Sequence, residues 1–142
     1  MLIGKGNGTF KRAVNYPAAN SPFNVTAADV NGDGNLDIVV SNWGTPNPAT
    51  NDGAVTVLLG NGNGTFRPAQ TFPSGGAEAP SVAVADVNKD GRLDIVLACV
   101  ADTLNQSSTG VVTVLINATK SASRSAETRA VALKTPNEFP WA

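Results

Sequence analysis

Apolar residues along this chain come in short runs, separated by clusters of Gly, Asn and Asp. Ile38-Val39-Val40, Val55-Thr56-Val57-Leu58-Leu59, Ile95-Val96-Leu97 and Val111-Val112-Thr113-Val114-Leu115-Ile116 are rich in β-branched residues. Runs of this length between turn-forming residues read as buried strands. No stretch sustains an apolar period near 3.6, so no helix is expected. The pattern predicts strands over 24–29, 36–42, 54–60 and 65–72. It predicts three more over 81–86, 93–101 and 111–116, and an N-terminal strand within 9–17.

The pattern also repeats. Leu2-Ile3-Gly4-Lys5-Gly6-Asn7-Gly8-Thr9-Phe10 matches Leu58-Leu59-Gly60-Asn61-Gly62-Asn63-Gly64-Thr65-Phe66 at an offset of 56. Val55-Thr56-Val57-Leu58-Leu59 matches Val112-Thr113-Val114-Leu115-Ile116 at an offset of 57. A period of this length, built from short strands and Gly-rich turns, points to propeller blades or another radial or stacked array.

Each repeat carries an acidic loop. Asp29-Val30-Asn31-Gly32-Asp33-Gly34-Asn35-Leu36-Asp37 and Asp86-Val87-Asn88-Lys89-Asp90-Gly91-Arg92-Leu93-Asp94 share the pattern D-x-N-x-D-G-x-x-D. Six of the 11 acidic residues lie in these two loops. Side-chain oxygens at positions 1, 3, 5 and 9, with a carbonyl at position 7, are the donors that a hard cation such as calcium takes. A turn rich in Asp, Asn and Gly has its own local rationale. Gathering three carboxylates twice, in register, has none without a cation. The loop is not an EF-hand, because position 12 is Val40 in one copy and Leu97 in the other, where a bidentate Glu belongs. Lys89 and Arg92 replace Gly32 and Asn35, so calcium is expected to bind the second loop more weakly.

Together, the string ADVNGDGNLDIVV and the following VTVLLGNGNGTF resemble the FG-GAP or VCBS-type repeat, the calcium-binding blade of integrin-α-like β-propellers. The resemblance covers residues 2 to about 119. It implies an all-β fold of two four-stranded antiparallel propeller blades and two calcium ions. The implied ligands are Asp29, Asn31, Asp33, the Asn35 carbonyl and Asp37, then Asp86, Asn88, Asp90, the Arg92 carbonyl and Asp94. The blades are expected at 23–73 and 81–117, with the N-terminal strand at 9–17 serving as the outer strand missing from the second blade. Residues 120–142 read as a linker or partly ordered tail. Propellers close with four to eight blades. Two blades are therefore a partial propeller, expected to be the end of a longer one or to self-associate through unpaired blade edges.

Composition narrows the function classes. The net charge is −1 and 15% of residues are charged, which suits neither nucleic acid nor an acidic membrane surface. No apolar stretch is long enough for a transmembrane helix, so membrane insertion is not expected. The chain has no His, and its one cysteine, Cys99, sits in an apolar run. With carboxylates paired only in the acidic loops, an enzyme is not expected. Trp43 has no aromatic counterpart in the second repeat, where Val100 stands. It is a candidate ligand-binding residue, with packing between blades as the alternative. Two functions remain. One is a structural or adhesion scaffold for a protein partner, and the other is a carbohydrate-binding module or the propeller part of a larger secreted or surface enzyme. Both place the protein outside the cell or on its surface, where calcium is abundant.

Overall fold

The computed structural model describes residues 1–44, 53–100 and 110–118. Seven strands form in chain order: β1 (Pro22–Ala28), β2 (Asp37–Asn42), β3 (Ala54–Leu58), β4 (Gln70–Pro73), β5 (Glu78–Ala85), β6 (Asp94–Val100) and β7 (Gly110–Leu115). None of the described residues is helical. The strands make two antiparallel meanders, one of four strands in the order β1-β2-β3-β4 and one of three in the order β5-β6-β7. The β-branched runs of β2, β3 and β6 become central strands, where side chains can be buried on both faces, and that of β7 becomes an edge strand.

Register gives the sheets their faces. Val39 pairs with Val57, and Ser41 with Val55, so these four residues share one face of the first sheet. In the second sheet Val82 pairs with Leu97, and Val84 with Ile95. Val39, Val55 and Val57 pack against Ala79, Val82, Leu97 and Cys99, forming the core between the two sheets. Burying each of these larger apolar side chains contributes about 1.5–3 kcal/mol.

The packing is head to tail. At the 57-residue offset, the first sheet's inward residues Val39, Ser41, Val55 and Val57 correspond to Val96, Ala98, Val112 and Val114. Those four lie on the face of the second sheet turned away from the core, and Val112 is 71% exposed. The second sheet's inward residues Val82, Ile95, Leu97 and Leu115 correspond to Val25, Ile38, Val40 and Leu58 on the far face of the first. The same two surfaces thus recur in each unit, one meeting the next unit's other face.

The N-terminal segment departs from expectation. Residues 9–17 form no strand, and the segment folds as a small hairpin with a single bridge, Gly4 to Phe10. It repeats the turn that bridges Gly60 to Phe66. Lys5 N–H donates to Thr9 and Lys11 N–H to Ile3, just as Asn61 N–H donates to Thr65 and Arg67 N–H to Leu59. The hairpin lies beside the first sheet, not at the edge of the second. The Tyr16 ring meets Phe66 edge-on at 5.2 Å, and Ala19 N–H donates to Thr56 Oγ1. The second sheet therefore has three strands among the described residues, against the four expected. The tail at 120–142 lies outside the described residues, as do the loops at 45–52 and 101–109.

Candidate metal centre

Both acidic loops join the first and second strands of their sheets, and both are wound by the same hydrogen bonds. In the first, Asp29 Oδ1 accepts from Gly32 and Asp33 N–H, and Oδ2 from Gly34 N–H at 2.8 Å. Asn31 Oδ1 accepts from Asp33 N–H, and Asp33 Oδ1 from Asn35 N–H, both at 2.9 Å. In the second, Asp86 accepts from Asp90 and Gly91 N–H, Asn88 from Asp90 N–H, and Asp90 from Arg92 N–H. Gly34 and Gly91 turn at φ +86° and +83°, a region glycine enters freely. Lys89 holds φ +61° where the first loop has Gly32.

Position 9 is the anchor. Asp37 and Asp94 are fully buried. Asp37 accepts from Val30 N–H at 2.9 Å and Gly60 N–H at 2.7 Å. Asp94 accepts from Val87 N–H at 3.1 Å and Asn117 N–H at 2.8 Å. Each carboxylate thus ties its loop to the end of the third strand. Burial pushes the Asp37 carboxyl up from its ordinary value, against the pull of the Gly60 and Val30 N–H donors, and the nearby Asp33 charge adds to the rise. Asp33 is held below its ordinary value by the Asn31 amide and the Asn35 N–H.

The donor set suits a hard cation, being all oxygen with three carboxylates per loop. Among the described residues no three Asp, Glu, His or Cys side chains converge closely enough to hold a metal as they stand. Their oxygens are turned to the loop's own N–H groups. The two loops lie side by side across a cleft of about 230 Å³ lined by Asp29, Val30, Asn31, Gly32, Gly91, Arg92 and Leu93.

The model of the FG-GAP-like repeat family matches residues 1–40 and, a second time, 49–97. This chain belongs to the FG-GAP-like repeat family. No curated protein and no solved structure matches it. The FG-GAP-like unit is out of phase with the sheets. The first match ends within β2, and the second opens before β3. Strands β1 and β2 thus come from one repeat and β3 and β4 from the next, and the second repeat, which also supplies β5 and most of β6, is fastened into both sheets.

Several residues at this FG-GAP-like site were not singled out from sequence. Gly60 and Asn117 occupy equivalent positions, since 117 minus 57 is 60. A Cβ at Gly60 would lie 2.2 Å from the Leu36 carbonyl oxygen. Asn117 resolves the same crowding differently, its side-chain amide donating to the equivalent Leu93 carbonyl at 3.1 Å and to Val30 O. It thereby links the second sheet to the first acidic loop. The offset alone pairs Gly60 with Asn117, but only the structure gives the pair a role. Trp43 is half-buried and stacks at 5.0 Å on Phe23 of its own sheet, a tilted pair in which Phe23 is 62% exposed. Packing between blades is therefore not where Trp43 makes its ring contact.

Proposed function

We propose that this chain is a calcium-stabilised β-propeller module, serving outside the cell or on its surface as a structural or adhesion scaffold for a protein partner. The acidic loops would take calcium through Asp29, Asn31, Asp33, Asp37 and the Asn35 carbonyl, and more weakly through Asp86, Asn88, Asp90, Asp94 and the Arg92 carbonyl. The supporting observation is the anchored carboxylate. Asp37 is ionisable, buried and destabilised in its charged form by that burial, which a neighbouring cation would relieve. Calcium at this position would bind the β1–β2 loop to the end of β3. Isothermal titration with calcium chloride tests the reading. Saturable binding whose tighter component is lost in Asp33→Ala supports it, and the absence of any binding overturns it.

The face of β5–β7 that no other described strand covers supports self-association. Its apolar residues repeat those that the first sheet buries, so another unit of this kind, from a second copy or a longer chain, is the complementary surface.

The Phe23–Trp43 pair favours a second reading, a carbohydrate-binding surface, because an exposed Phe23 ring backed by a half-buried Trp43 suits the apolar face of a sugar. Glycan-array binding abolished by Trp43→Ala would select it over a protein scaffold. An array without signal would leave the scaffold reading.

A further inference from the structure

We propose that in the second acidic loop the guanidinium of Arg92 takes the place that calcium takes in the first. The inference rests on the calcium reading of the first loop and assigns the two repeats different chemistry.

The loops differ at position 7. In the first it is Asn35, a neutral residue whose carbonyl is offered to the cation. In the second it is Arg92, and its Nη2 forms an ion pair with Asp90 Oδ2, the position-5 carboxylate. The same side chain donates from Nε to the Asn117 carbonyl at 3.0 Å. One guanidinium thus joins the acidic loop to the end of β7. That is the connection a bound cation would supply between Asp90 and the strand behind it. Arg suits this task because its planar fork can address two acceptors at once and it keeps its charge at all working pH.

The rest of the loop agrees. Asn88 donates to the same Asp90 oxygen that Arg92 engages, so that oxygen already has two donors. A calcium ion entering here must displace the guanidinium and then sit beside it. The ion pair is partly exposed, so its own contribution to stability is small and screened by salt. Its effect on a divalent cation is larger, because it removes a ligand and adds a like charge at the same point. The second loop is also the more open one, with Asn88 and Asp90 exposed where Asn31 and Asp33 are half-buried. Calcium there would be more hydrated and less tightly held.

The test is calcium titration calorimetry on the whole chain after chelator treatment, for the unchanged protein and three variants, with circular dichroism to confirm that each is folded. The unchanged protein is expected to bind one calcium tightly, with any second at least tenfold weaker. Arg92→Asn, which installs the first loop's residue, is expected to bring that second affinity to within a fewfold of the first. Lys89→Gly removes one positive charge and leaves the guanidinium, and it is expected to stay at one tight site. Arg92→Lys keeps the charge without the fork, and an intermediate second affinity is expected. Two equivalent sites in the unchanged protein would overturn the inference and leave the calcium reading intact. So would an Arg92→Asn variant still limited to one. Binding that appears only in Arg92→Asn would keep the role of Arg92 and sink calcium at the first loop. No binding in any variant would overturn both.

Discussion

At the residue scale, the repeat supplies its own controls. Ser41 and Ala98 are equivalent positions, and Ser41 is fully buried with no partner for its hydroxyl oxygen among the described residues. An unsatisfied buried hydroxyl carries a desolvation penalty of about 1–3 kcal/mol. Ser41→Ala is therefore expected to leave stability unchanged or raise it by up to about 1 kcal/mol, measured by urea unfolding. A loss of more than that would mean the hydroxyl is satisfied by a group such as a buried water. Cys99 is 4% exposed in the core, and burial pushes its thiol above the ordinary value despite contacts from Thr113 and Ser74. It should resist thiol reagents in the folded protein at pH 8 and react at once in denaturant. Rapid labelling of the native state would contradict its core position.

At the element scale, the strands were legible in the sequence and their partners were not. The β-branched runs around Val39, Val57, Val96 and Val114 marked the strands, because alternation and burial leave a local trace. Most boundaries fell within a few residues. The exception is informative. Thr9 to Tyr16 repeats Thr65 to Phe72, so it reads as a strand on sequence. Yet the later copy pairs with β3, and among the described residues the earlier copy has no strand alongside it. Strand formation depends on a ladder partner, which pattern does not report. The acidic loops were readable for the same local reason, since Asx-type bonds within Asp29–Asn35 need no distant residue. The anchoring of Asp37 by Gly60, across 23 positions, was not readable. That anchor gives a prediction. Gly60→Ala drives a Cβ into the Leu36 carbonyl and is expected to cost about 1–3 kcal/mol or more. Asn117→Ala removes side-chain bonds alone and is expected to cost about 1 kcal/mol. Denaturant midpoints that reverse this order would contradict the proposed equivalence of the two positions.

At the scale of the whole molecule, two sheets stack face to face and the second turns a repeat of the buried surface outward. Val96, Ala98, Val112 and Val114 match the residues that the first sheet buries against its neighbour. Light scattering is expected to give a mass above the 14.5 kDa of one chain, and Val112→Lys is expected to return it to one chain without unfolding it. A monomer at all concentrations would mean that this face is covered from within the chain. Calcium in the first acidic loop is proposed to hold the β1–β2 hairpin to the end of β3, and Arg92 to supply that tie in the second. The most direct test is thermal unfolding of the unchanged chain in excess calcium and in chelator. Calcium at 100 times its dissociation constant stabilises the folded state by about 2.7 kcal/mol. A midpoint several degrees higher in calcium is expected, with most of the difference lost in Asp33→Ala. Identical midpoints in calcium and chelator would contradict it.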